Sequence, residues 1–129
     1  MYDYTHIGIC LKYVPAPKSY PEAVISCLTD GGDLIKLDSI EKYNIFRNHS
    51  AQYTDSSSIQ IWVQGVKTGS EWRFHDGSLM PEILTISETN GAGEIHIRSR
   101  SADDFTFRDA GPLSNFHYMC EIYRIFSCL

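Results

Sequence analysis

Phe107-Arg108-Asp109 ends a run of alternating residues and places an acid at what reads as a strand end, upstream of Cys120. An acid in that position either is solvated, the ordinary fate of surface carboxylates, or holds something. A second set of oxygen-bearing side chains, Glu88, Asn90 and Glu94, lies within or just after an irregular segment, residues 78–93. Long segments without periodicity are uncommon in compact domains and often functional. Other chemistries lack their residues. His6, His49, His75, His96 and His117 are scattered, none at the i, i+4 spacing of a helical zinc site. Strand or turn placement is expected for each, with His96 and His117 partly buried. No nucleophile stands beside a base, and Gly91-Ala92-Gly93 follows no strand, so it is no dinucleotide fingerprint. The chain is not expected to be an enzyme.

The elements that must position these residues show in period and punctuation. Ser19 and Glu22 have capping-box spacing, Pro21 sits in the tolerant first turn and Gly31 supplies a stop, which predicts a helix. Tyr20, Ala23, Val24, Cys27 and Leu28 recur at i, i+3, i+4, i+7 and i+8 and are expected to face the core. A short strand over residues 34–37 and a second helix capped by Asp38 and Glu41 follow. Beyond the serines at 56–58 the period changes. Residues 59–65 and 71–77 alternate as strands, and more strands are expected over 94–100, 105–109 and 116–124. Two helices followed by a strand-rich half make an α+β arrangement. Trp62 and Trp72 are expected in the core.

With 129 residues, 43% hydrophobic and 21% charged, the chain reads as one globular domain with a core of its own. A net charge of -5 without a basic cluster argues against a nucleic-acid partner. The apolar runs are too short for membrane insertion. Cys10, Cys27, Cys120 and Cys128 form an even set without a CxxC pair, which disfavours zinc and fits either disulfides outside the cell or buried thiols inside it. Asn48-His49-Ser50 fits the N-glycosylation pattern and agrees with export. The opening Met1-Tyr2-Asp3-Tyr4 lacks signal-peptide regions, so if the protein is secreted a mature form is expected.

Taken in order, these stretches resemble the C-type lectin-like domain over nearly the whole chain. In that family a helical Cys bridges to a Cys in the last strand, just before a Glu; Cys27 and Cys120, followed by Glu121, stand at those places. Ile61-Trp62-Val63-Gln64-Gly65 matches the family's central strand, and "EWRFHDGS", residues 71–78, its aromatic pair running into Asp-Gly. The resemblance implies two helices packed on antiparallel sheets, with a long irregular ligand loop. Cys10 stands where long-form members carry a hairpin Cys. First and last strands adjoin in this fold, so Cys10 and Cys128 either pair within the chain or link two chains. The family's second bridge is missing here: its two regions read "EIHIRS" and "DAGPLS".

In sugar-binding members the loop carries Glu-Pro-Asn or Gln-Pro-Asp, a Glu follows, and the next strand ends Trp-Asn-Asp. These side chains bind one calcium ion, a cation that takes six to eight hard oxygens, and the ion coordinates two sugar hydroxyls. The resemblance therefore assigns Glu88, Asn90, Glu94 and Asp109 to calcium, and these four with Arg108 to sugar. Thr89 replaces the family's cis proline, and a non-proline cis bond costs about 2.5–4 kcal/mol. Arg108 replaces an Asn ligand with a fixed cation. It either points away or bridges Glu88 and Asp109 in the ion's place. The function implied is a secreted lectin for terminal sugars of the mannose or N-acetylglucosamine type on cell-surface or microbial glycans, as in innate immunity. A homodimer, disulfide-linked if Cys10 and Cys128 join two chains, would supply avidity. The alternative is a protein-binding module of the same fold that has lost sugar and calcium.

Overall fold

A computed structural model describes residues 4–6, 9–54, 57–82, 84–88 and 93–123. The elements run β1 (Tyr4–His6), β2 (Ile9–Lys18), α1 (Tyr20–Thr29), β3 (Gly32–Leu34), α2 (Ile40–Thr54), β4 (Gln60–Thr68), β5 (Glu71–Arg73), β6 (Ile86–Ser87), β7 (His96–Arg100), a 3-10 turn (Ser101–Asp103), β8 (Thr106–Ala110) and β9 (Phe116–Tyr123). The strands form a single mixed sheet in the order β1-β2-β9-β4-β7-β8-β6, with β3 added to β9 and β5 to β4. The α+β class stands. The sheet is not purely antiparallel, because β4 pairs with β9, and β6 with β8, in parallel.

Alternation along the central strands divides the core into two layers. On β4, Ile61 and Val63 join Phe46 of α2, Leu11, Ile97 and Met119 in one cluster. Trp62, between them in sequence, joins Tyr20, Ala23 and Cys27 of α1 with Tyr118 and Cys120 in the other. The helices therefore cover opposite faces of the sheet. Trp62 is fully buried, and its indole N–H donates to the Lys18 carbonyl at 2.9 Å.

Helix α1 starts as its sequence predicts. Ser19 Oγ accepts the Glu22 N–H at 3.3 Å, and the Glu22 carboxylate accepts the Ser19 N–H at 3.0 Å. Tyr20, Ala23 and Cys27 are buried, but Leu28, expected on the same face, is 66% exposed. Cys27 is bridged to Cys120 with Cα atoms 5.4 Å apart, which fastens α1 to β9. Cys10 is also disulfide-bonded; Cys128 lies outside the described residues. Helix α2 begins one residue later than expected. The Ser39 hydroxyl, rather than Asp38, accepts the Lys42 N–H at 3.1 Å.

The strand expected over residues 34–37 forms instead over Gly32–Leu34, paired with Cys120–Ile122. Gly32 explains the shift. A Cβ there would lie 1.9 Å from the Glu121 carbonyl oxygen, so only glycine permits that approach. Behind this pairing, Glu121 is 1% exposed and accepts from Lys42 Nζ at 2.6 Å and from the Lys36 N–H at 2.7 Å. The buried ion pair ties α2 to β9 beneath the sheet's centre.

Candidate functional site

The segment between β5 and β7 is not structureless. Ile86 pairs with Phe107 and Ser87 with Arg108 in parallel register, which brings the long loop against β8. Glu88 thus follows directly on the residue opposite Arg108. Thr89 and Asn90 lie outside the described residues. Glu94 is half-buried, just ahead of β7. Asp109 is buried at 7% exposure opposite Ile97, whereas Arg108 is exposed. Neighbouring strand residues face opposite sides of the sheet, so Arg108 and Asp109 do not converge on one point.

Glu88 has two partners from the β4–β5 hairpin. Lys67 Nζ donates to one carboxylate oxygen at 3.0 Å, and the Trp72 indole N–H donates to the other at 2.6 Å. Lys67 and Trp72 are themselves a cross-strand pair, with the ammonium 6.0 Å from the indole ring centre. The hydrogen bond from Lys67, then that from Trp72, holds the Glu88 carboxyl below its ordinary pKa. A protein cation already sits on Glu88, and it is Lys67 rather than Arg108. Arg108 instead stands opposite Arg98 across the β7–β8 ladder, beside a cleft of about 100 Å³ that includes Ser87 and Asp103. Burial first, and then the charges of Arg108 and Arg100, lower the Arg98 pKa.

Beside Glu88, a cleft of about 390 Å³ under the long loop is lined by Glu71, Trp72 and Glu82 together with Met80, Leu84 and Ile86. Trp72 packs against the core with part of its ring and turns its N–H outward to Glu88. Lys67 and Trp72 were not expected at the site. The cross-strand pairing that joins them depends on hairpin register, which their sequence separation alone does not reveal.

Among the described residues, no group of three or more His, Cys, Asp or Glu side chains could hold a metal ion; Asn90, one of the four residues the resemblance assigns to calcium, lies outside them. An ion at Glu88 would have to displace the Lys67 ammonium. Asn48 is exposed on α2, and the Ser50 hydroxyl is buried. His96 and His117 are partly buried strand residues, as expected, and burial lowers both their pKa values. None of the described helices is long and apolar enough to cross a membrane.

No protein-family model and no curated protein matches this sequence. Solved structures do match. The C-type lectin CEL-I from Cucumaria echinata aligns with a TM-score of 0.75 at 16% identity, over 91% of this chain and 91% of that one. The carbohydrate-recognition domain of the mouse scavenger receptor C-type lectin aligns with a TM-score of 0.76 at 16% identity, over 94% and 95%. A calcium-dependent type II antifreeze protein in its calcium-free form aligns with a TM-score of 0.76 at 18% identity, over 92% and 94%. The chain therefore has the C-type lectin-like fold, in the company of lectins and other binding proteins. The antifreeze protein indicates that this fold also serves proteins named for something other than sugar binding.

Proposed function

We propose that this protein is a secreted glycan-binding domain that recognises terminal sugars of the mannose or N-acetylglucosamine type where the 78–93 loop meets the end of β8, and that it does so without requiring calcium. The observation that carries the reading is the β6–β8 pairing, which brings the Glu88 segment alongside Arg108 and Asp109. Glu88, oriented by Lys67 and Trp72, offers carboxylate oxygens to sugar hydroxyls; Arg108, paired with Ser87 and so directed to the other face from Glu88, offers an exposed guanidinium around the same strand edge. Asn90 and Glu94 are carried over from the resemblance as further sugar contacts. Charge-assisted hydrogen bonds of this kind contribute about 1.5–3 kcal/mol each. Removing one by Glu88→Gln or Arg108→Ala should weaken binding roughly tenfold to a hundredfold.

The test is a glycan array run with calcium and repeated with a chelator. Equal binding to mannose- or N-acetylglucosamine-terminated glycans in both conditions is expected. Binding lost on chelation would restore the calcium ligand set of Glu88, Asn90, Glu94 and Asp109. Silence in both conditions would favour a protein-binding module, for which Ile25 and Leu28, 63% and 66% exposed on α1, offer apolar contact surface.

A further inference from the structure

A groove of about 740 Å³ lies away from the long loop, between the first turns of α1 and the β4–β5 hairpin. Its volume falls in the range of about 300–1,000 Å³ typical of small-ligand sites. The walls are apolar: Pro21, Val24 and Ile25 of α1 face Val66 and Phe74. Ile25, on the rim, is 63% exposed, so apolar surface there is left to water.

The floor is a fixed hydrogen-bond network. His75 Nδ1 lies 2.6 Å from Asp33 Oδ2, and its Nε2 lies 2.7 Å from the Tyr20 hydroxyl. This arrangement suits a ring that donates from Nδ1 to the carboxylate and accepts the tyrosine proton at Nε2. His96 stacks on Tyr20 with ring centres 3.7 Å apart. The network holds the groove open at its base and presents rings to any occupant.

The charge of the lining selects the occupant. No Asp, Glu, Asn or Gln lines this groove among the described residues, although the chain carries a net charge of -5. The lining carries one guanidinium, that of Arg73. The guanidinium donates to the Gly77 carbonyl at 2.6 Å and to Glu71 at 2.7 Å, and with five donors it has capacity beyond those two bonds. Glu71 lines the other cleft, under the long loop. The groove lacks the carboxylates and amides that hold sugar hydroxyls, so it is not a second saccharide site. An apolar trough closed by a guanidinium fits a chain with one anionic head.

We infer that this groove binds a small amphipathic carboxylate of the fatty-acid type, with its hydrocarbon along Pro21, Val24, Ile25 and Phe74 and its head on Arg73. This site is independent of the saccharide site and survives or falls without it. Calorimetric titration of the whole protein with octanoate, hexanoate, octan-1-ol and octylamine tests it. Octanoate should bind about sixteenfold more tightly than hexanoate, at about fourfold for each methylene. Octan-1-ol should bind at least about tenfold more weakly than octanoate, for want of the charge-assisted bond, and octylamine should give no measurable heat. Arg73→Gln should reduce octanoate to the affinity of octan-1-ol while leaving octan-1-ol unchanged, which also reports that the variant is folded. Should Arg73→Gln fail to fold, Ile25→Glu on the exposed rim should abolish octanoate binding and admit octylamine. Absence of octanoate binding, equal affinity for octanoate and octylamine, or an Arg73→Gln variant that binds octanoate as before would each overturn the assignment.

Discussion

Replacing Lys42 by Met would strand a carboxylate in the centre of the protein. Glu121 is 1% exposed, and one of its oxygens, Oε1, receives both Lys42 Nζ at 2.6 Å and the Lys36 N–H at 2.7 Å. The other oxygen, Oε2, is buried without a hydrogen-bond partner, and the next cation, the Lys36 ammonium, is already held by Asp76. Lys42 is better insured, since the half-exposed Asp38 carboxylate lies 4.0 Å away. Breaking a buried pair by removing one member typically costs about 3–5 kcal/mol, because the survivor stays buried and uncompensated. Lys42→Met should therefore lower the urea midpoint by roughly 2 M at the usual denaturant slope. Glu121→Gln keeps an acceptor for the Lys36 N–H while removing the charge. Introduced into the Lys42→Met background, it should restore stability, leaving about 1–3 kcal/mol for one poorly satisfied amide. The assay is urea unfolding followed by fluorescence of the buried Trp62, with the disulfides kept oxidised. If the double variant is as unstable as the sum of the two single variants, the charge is not what destabilises Lys42→Met, and the reasoning fails.

The Glu88 carboxyl is held below its ordinary pKa in the folded protein, chiefly by Lys67. Its pairing should be fully present above the ordinary carboxylate range and lost only as pH falls through the depressed value. Lys67→Met should move that loss up toward the ordinary range, with the Trp72 bond keeping part of the depression, seen as an upward shift in the pH at which Trp72 fluorescence and glycan binding change. Gly32→Ala should disrupt the β3–β9 pairing, since the added Cβ would sit 1.9 Å from a backbone oxygen that cannot move aside alone. A loss of about 3 kcal/mol or more is expected. Gly69→Ala, whose Cβ meets nothing within 4 Å but whose φ is +66°, should cost only about 1–2 kcal/mol, and thermal melts of the two variants should separate accordingly.

What could be read in the sequence was what is decided locally. The capping box of Ser19 and Glu22 involves neighbours in the chain, and it formed as expected. The alternation of residues 59–65 reported a strand whose faces pack against different helices. The Cys27–Cys120 pairing came from resemblance, and the two cysteines are joined. Errors arose where tertiary contacts overrule local preference. Asp38 yields the cap of α2 to Ser39 and turns toward Lys42, which is held in place by Glu121 far along the chain. The pairing of Gly32 with β9 moved the strand expected at 34–37. Strand β2 carries Pro15 and Pro17, which blunt its strand signal and fall in the irregular stretch between Val14 and Lys18. At the site, the loop and the β8 end were anticipated as meeting, but Lys67 and Trp72 reach Glu88 only through hairpin register and loop docking, neither of which has a local signature.

The short strand β5 shows why one small sheet can serve two surfaces. Glu71, Trp72 and Arg73 are consecutive, and a strand sends successive side chains to opposite faces. Trp72 turns toward the long loop and fixes Glu88. Arg73 lines the groove beside α1, while Glu71, hydrogen-bonded to Arg73, borders the cleft under the loop. Pairing with β4 through Val66–Arg73, Lys67–Trp72 and Thr68–Glu71 holds all three in register. A one-residue slip in that hairpin would exchange the faces, pulling Trp72 from Glu88 and Arg73 from the groove together. Gly69, at φ +66° in the turn, is where that register is set. The carboxylate anchor of one surface and the guanidinium of the other thus depend on the same tight turn, though no ligand need touch both.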